Sequence, residues 1–152
     1  MQIASADDRF PNGSLRALLA GLPDAEGYEI RVKPLRYRTQ PRLAAWTDFD
    51  THRITLQVPD PFLPFGEVVR YAARRRAGKG LRFLWLSEGV TFRTPREVLR
   101  FLYCHEWMHW YLRERLGRKA AAETACDRFA LLNYRRSTVG TREADAALRR
   151  RT

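Results

Sequence analysis

Cysteine is scarce in this chain, two in 152 residues, too few for the disulfide framework that staples small secreted domains. Cys104 and Cys126 both fall in stretches that read as helix, where a small buried thiol is the ordinary outcome. Long apolar runs are missing too. No segment approaches the length needed to cross a bilayer, and no N-terminal stretch joins a basic segment to an apolar run and a small-residue cleavage site. These absences predict a cytoplasmic chain with no membrane partner. Internal repeats are absent, which removes solenoid architectures. Acidic residues are in deficit, with 17 Asp+Glu against 28 Lys+Arg, a net charge of +11 and a pI near 10.6. Such an imbalance attracts polyanions through long-range, salt-sensitive electrostatics. An arginine-rich proteome accounts for the same excess equally well.

What is present suffices for one core, since 45% of the residues are hydrophobic and the length suits a single domain. Asn12-Gly13-Ser14 ahead of Leu15, Leu18, Leu19 and Leu22 reads as capping chemistry and a short helix, closed by Gly21 and Pro23. Tyr28, Ile30 and Val32, and later Ile54, Leu56 and Val58, alternate with polar residues as half-buried strands do. Leu43 to Trp46 followed by Asp48-Phe49-Asp50-Thr51 suggests a strand and turn between them. The expected product is an antiparallel meander. Pro59, Pro61, Pro64 and Gly66 then end the sheet. Glu67 to Ala77 reads as a basic helix, Leu81 to Leu86 as a further strand, and Ser87-Glu88-Gly89 as a turn.

The clearest local signal is Thr94-Pro95-Arg96-Glu97, an N-cap hydroxyl, a proline at the first helical position and a glutamate at N3. The helix that starts there carries Val98, Leu99, Phe101, Leu102, Met108 and Leu112 and is expected to stop at Gly117. Ala120 to Tyr134 reads as a second helix packed back on the first. The expected layout is a single domain over residues 1–134, followed by a mobile basic extension over 135–152.

On the first of these helices stands His105-Glu106-Trp107-Met108-His109. Residues four apart lie one turn above each other, so His105 and His109 aim two imidazoles at one point, with Glu106 beside them. That geometry suits one Zn2+ per chain, with Glu106 as general base toward a zinc-acidified water. Both histidines share a stripe with Val98, Leu102 and Leu112, where polar groups without a partner are costly. On the second helix, Glu123 and Asp127 are again four apart. Glu123 is placed to reach the metal as third ligand, and Asp127 to accept the outward N–H of a ligating histidine and hold its tautomer. The chance reading is two histidines on a solvated face and an acidic helix surface. Ala120, Ala121, Ala122 and Ala125, small residues suited to close helix packing, argue against it. His52, at the start of a strand, reads as a surface residue. Tyr111 and Tyr134 are available as oxyanion donors, but spacing alone puts neither beside a substrate.

His-Glu-x-x-His followed by Glu-x-x-x-Asp on the next helix resembles the gluzincin metallopeptidases, and the small size resembles the minigluzincins. The residues around Glu123, with Ala125, Asp127, Phe129 and Ala130, are similar to the ImmA/IrrE-type peptidases. The resemblance covers residues 105–130 specifically. It implies an α+β, zincin-like fold, a small mostly antiparallel sheet packed on a metal-bearing helix with a second ligand helix downstream. It further implies His105, His109 and Glu123 as zinc ligands, Glu106 as catalytic base and Asp127 behind them. A strand ahead of the metal helix would bind extended peptide or protein substrate, the role assigned here to Ile54, Thr55, Leu56, Gln57 and Val58. The strand arrangement also resembles SprT-like proteases, which use a third histidine that this chain lacks after His109. The expected function is a zinc metalloendopeptidase. The alternatives are a nucleic-acid-associated protein, whether a SprT-like DNA-linked protease or a DNA-binding module with a structural or decayed metal site, and a toxin-type peptidase with one narrow substrate.

Overall fold

The computed structural model describes residues 1–77, 80–119 and 122–149, with residues 72–77 and 80–84 described by their backbone alone. In these residues the chain is an α+β protein with two small sheets and four α-helices. Strands β1 (Gln2–Ser5), β2 (Glu29–Leu35), β3 (Ala44–Asp48) and β4 (Arg53–Pro59) form one sheet in the order β1-β2-β4-β3. Strands β5 (Phe65–Ala77) and β6 (Gly80–Phe92) form a separate antiparallel pair. The helices are α1 (Asn12–Leu18), α2 (Pro95–Trp110), α3 (Glu123–Asn133) and α4 (Thr141–Leu148). Among the described residues no helix is long and apolar enough to cross a membrane.

The four-stranded sheet is mixed, which corrects the expected meander. β1 pairs with β2 in parallel, β2 pairs with β4 in parallel, and only β3 runs antiparallel to β4. The helix α1 carries the chain back between β1 and β2, the kind of crossover that parallel pairing requires. β3 turns into β4 through a tight bend in which Asp48 Oδ1 accepts from the Asp50 and Thr51 amides at 2.9 and 3.1 Å, an Asx turn. His52 takes a left-handed φ of 54° there and stacks, exposed, on the Tyr28 ring at 4.9 Å. The surface role expected of it fits. The register sets Ile30 opposite Ile54, Val32 opposite Leu56 and Pro34 opposite Val58. The aliphatic members of these pairs are fully buried, at 0% exposure. Each such side chain contributes roughly 1.5–3 kcal/mol when taken out of water.

α2 is the central helix. Its start is as read from the sequence: Thr94 Oγ1 accepts from the Glu97 amide at 3.3 Å, and the Glu97 carboxylate accepts in return from the Arg93 amide at 3.0 Å. Its face away from the cleft is tied to the loop before β2, with Tyr103 Oη donating to the Pro23 carbonyl at 2.5 Å, Trp107 Nε1 to Asp24 at 2.9 Å and Trp110 Nε1 to Glu26 at 3.2 Å. Arg100, 1% exposed, donates to the carbonyls of Leu18, Ala20, Tyr134 and Arg136. It thereby joins α1 and the end of α3 to the helix. After Trp110 the chain continues as a π-helical turn over Tyr111–Arg115 and ends at Gly117, φ 64°. The Arg118 amide reaches the Leu112 carbonyl at 2.8 Å, closing the C-terminus as a left-handed glycine allows.

Several expectations give way to long-range packing. Asn12 does not cap α1, since its side chain accepts from the Ser5 amide at 2.8 Å and Pro11 holds the cap position. The basic stretch Glu67 to Ala77 is strand β5, not a helix, because its backbone pairs residue for residue with β6 from Phe65↔Phe92 to Ala77↔Gly80. Local propensity yields to such pairing. Ser87, Glu88 and Gly89 lie inside that ladder and make no turn. The segment from Arg135, expected to be mobile, carries α4, whose Ala144 and Ala147 are buried at 0% exposure. α4 is tied to the end of α2 by Tyr111 Oη donating to Asp145 Oδ1 at 2.9 Å. Ala120, Ala121 and residues 150–152, expected within the second helix and the tail, lie outside the described residues.

Candidate functional site

α2 and α3 bring His105, Glu106, His109, Glu123 and Asp127, the five residues singled out on these helices by their spacing, together on the cleft side. Val98, Leu99, Phe101, Leu102, Cys104 and Met108 bury α2, and beyond its first turn the histidines at 105 and 109 occupy the part of the helix left only half-covered. Their side chains are 16% and 14% exposed. The turn at Gly117 sends the chain back, and Trp107 packs on Phe129 of α3 with ring centroids 5.3 Å apart. That contact fixes the first turn of α3 opposite the histidines.

Glu123 spans both imidazoles. Its Oε2 lies 3.0 Å from His105 Nε2 and its Oε1 2.9 Å from His109 Nε2. Asp127 Oδ1 lies 2.8 Å from His105 Nδ1. An ionised carboxylate only accepts, so this contact puts a proton on Nδ1 and turns Nε2 toward Glu123. Two ring nitrogens facing two carboxylate oxygens need a proton or a cation between them. Without a cation, a proton on His105 meets that need. Burial opposes its charge, but the Asp127 and Glu123 carboxylates prevail and hold its pKa up to about 10. His109 is lowered from its ordinary value, by burial first and by the neighbouring His105 charge second. Hydrogen bonding from His105 pulls Glu123 down to about 2.

Glu106 is 4% exposed, and burial pushes its carboxyl up to about 7, against the pull of His105. Thr47 of β3 donates to its Oε2 at 3.3 Å. Sequence reasoning missed Thr47, and nothing local could have found it, because the contact spans 59 residues.

The donor set has a second arrangement. Cys126 Sγ lies within 4.8 Å of ligand atoms of His105 and His109, so either Glu123 or Cys126 could complete a three-ligand group. Cys126 is fully buried, and its thiol is pushed far up by burial and by Glu123, Glu106 and Asp127. Glu123 has both oxygens already against both Nε2 atoms, and its pKa is low. We therefore take Glu123 as the better donor.

The residues assigned to substrate lie elsewhere. Ile54, Thr55, Leu56, Gln57 and Val58 form β4, which is paired on both edges, by β2 and by β3. Ile54, Thr55, Leu56 and Val58 are buried. A strand with both edges filled has no amides or carbonyls to offer. The sheet edge that borders the site is β3, last in the sheet order. Its Ala45, Trp46 and Thr47 line, with His105, Glu106, His109 and Glu123, a cavity of about 350 Å³. Neither tyrosine serves the site: Tyr111 is bonded to Asp145, and Tyr134 packs between Phe92 and Phe101.

No protein-family model matches this chain, and neither a curated protein nor a solved structure matches it.

Proposed function

We propose that this chain is a zinc-dependent metallopeptidase of the zincin type, with His105, His109 and Glu123 holding the metal. The observation that carries the reading is the Glu123 carboxylate lying 3.0 and 2.9 Å from the two Nε2 atoms while Asp127 holds Nδ1 of His105 from behind. Two imidazoles and one carboxylate are the donor chemistry of a hydrolytic zinc site, and a carboxylate behind a ligating histidine orients its ring. The group, when bound, lowers the pKa of a water to about 7.

The rest is done by the chain. Glu106, buried beside the ligands, accepts the proton of the attacking water and delivers it to the departing amine. Thr47 holds the Oε2 of that carboxylate at 3.3 Å. The free edge of β3 offers its main chain to an extended peptide, a mode in which backbone hydrogen bonds supply the affinity. Residues 45–47 of that edge line the cavity, so the peptide lies between the strand and α2.

Elemental analysis of purified protein tests the reading. About one zinc per chain is expected, lost in His105→Ala and retained in Glu106→Gln, with peptide hydrolysis absent from both. Protein that neither carries zinc nor takes it up would sink the proposal.

A second reading, association with nucleic acid, rests on the β5–β6 hairpin. Trp85 and Val68 are exposed, at 63% and 69%, and the Arg70 guanidinium lies 5.9 Å above the Trp85 ring. Arg74 and Arg76 occupy positions of the same strand parity as Arg70. An arginine-rich strand with an exposed aromatic ring beside it suits single-stranded nucleic acid. Binding that weakens steeply with salt would support it, and no binding at low salt would exclude it.

A further inference from the structure

The cavity beside the metal-ligand candidates is lined by apolar side chains, Ala45, Trp46, Phe49 and Leu112, and by three cations, Arg113, Arg118 and Lys119. Arg113 lies one helical turn beyond His109 and rests over the Phe49 ring at 4.4 Å. The Arg118 amide is bonded to the Leu112 carbonyl at 2.8 Å, which fixes the main chain of this basic rim where the helix ends. Among the described residues no carboxylate lies within ion-pair distance of Arg113, Arg118 or Lys119, although Arg115 next in line is paired with Glu26 at 2.6 Å. The acidic groups in the cavity are Glu106 and Glu123. Glu123 is engaged by His105 and His109, and Glu106 by Thr47. Among the described residues, these three cations on the rim of one cavity thus have no ion-pair partner.

We propose that this cavity is a carboxylate-recognising subsite, and that the preferred ligand is a peptide presenting a carboxylate beside the β3 edge. The inference rests on the peptidase reading for its substrate class, and deepens it. A carboxylate gains charge-assisted hydrogen bonds from two arginines, whose planar forks match its geometry. The methylenes of an acidic side chain would lie along Trp46 and Leu112. The carboxylate has two possible sources, an internal Asp or Glu side chain and a free chain terminus. A basic residue would meet like charge and be rejected, which is the repulsive half of specificity.

The test uses the full chain supplied with zinc, in its Glu106→Gln form so that no turnover consumes the probe. Short acetylated peptides identical except for Glu against Gln at one internal position, or for a free against an amidated C-terminus, are titrated by calorimetry and by tryptophan fluorescence. Trp46 lines the cavity and is 44% exposed, which makes it a reporter. The carboxylate peptide is expected to bind about fivefold to tenfold more tightly than its neutral twin, the scale of a few partly solvated ion pairs. The internal and terminal arms identify the source. The margin should close in Arg118→Gln/Lys119→Gln, whose side chains are exposed and make no ion pair among the described residues, and should invert toward basic peptides in Arg118→Glu/Lys119→Glu. Equal affinity for both members of each pair overturns the proposal, as does a margin that survives the double substitution unchanged. Hydrolysis by the unsubstituted chain is scored separately. A carboxylate preference in binding with no cleavage of any peptide leaves this subsite standing and removes the peptidase. Cleavage without preference does the reverse.

Discussion

Asp127 Oδ1 lies 2.8 Å from His105 Nδ1, and through that contact a residue of α3 decides which nitrogen of an α2 histidine faces Glu123. With one proton held at Nδ1, Nε2 is the nitrogen that would give up its proton and turn a lone pair to a cation in the cleft. The two carboxylates of α3 therefore have different tasks, although they stand one helical turn apart.

Those tasks separate by substitution. Asp127→Asn should weaken zinc affinity by about 10–100-fold, the usual cost of disturbing such a partner, while leaving the stoichiometry near one. Glu123→Ala should cost more, because a donor itself is lost. Cys126→Ser should leave affinity nearly unchanged, since its buried thiol is pushed far up and in the proposed site Glu123 would be the third donor. Competition against a chromophoric chelator measures all three. A collapse of affinity in Cys126→Ser with Glu123→Ala unaffected would transfer the ligand role to the cysteine.

Zinc must displace the proton that the carboxylates hold on His105, whose pKa is raised to about 10. Near neutral pH the metal-free site holds a proton there, so uptake should release about one proton from His105 and a further fraction from Glu106, and affinity should rise with pH. Calorimetry in buffers of different ionisation enthalpy reads this number directly. Turnover should fall on the acid side as Glu106 protonates, since a general base acts only when ionised. Burial sets that carboxyl near 7 in the metal-free chain, and a neighbouring zinc charge moves it lower. Thr47→Val removes a hydrogen bond that favours the ionised form, so the acid limb of kcat/KM should shift to higher pH with zinc content unaltered.

Arg100 is a structural cation rather than a functional one. Its guanidinium is surrounded by carbonyls of Leu18, Ala20, Tyr134 and Arg136, and burial lowers its pKa. Arg100→Met keeps the volume and strands those acceptors, at a cost of about 3 kcal/mol or more. Denaturant midpoints should drop accordingly with the m-value retained.

Asp7 gives the fold an acid-sensitive contact. It is 5% exposed and takes paired hydrogen bonds from Arg9 at 3.0 and 2.7 Å, while Arg9 also donates to Val58 and Pro59 at the end of β4. Burial raises its pKa, but the Arg9 hydrogen bonds and charge outweigh that, and the folded value falls below 3.8. A depressed folded pKa contributes stability that is complete above the unfolded value and is lost as pH falls through the folded one. Asp7→Asn should cost about 2 kcal/mol at neutral pH. Its stability should also decline less steeply than that of the parent chain below about pH 4.

Much of the site was legible because it is written in local spacing. Thr94, Pro95 and Glu97 start α2, Gly117 ends its extension, and the pairs His105/His109 and Glu123/Asp127 are each one turn apart. Every one of these rules acts over three or four residues. The β3 edge and Thr47 escaped, since they reach the site from a segment far away in the chain. β4 has the better strand pattern, and for that reason it is interior: residues apolar enough to alternate cleanly are buried between two neighbours. The run of arginines in β5 carries no helical stripe and pairs instead with β6.

By itself, then, the sequence determined the helices that bear the histidines and carboxylates and the faces on which they stand, because capping and helical periodicity are properties of a few consecutive residues. Tertiary structure alone decided that β2 and β4 run parallel, that β3 is the open edge and that α4 packs on the core. Strand order and the meeting of distant side chains are chosen by the burial of the whole chain, and no short stretch encodes them.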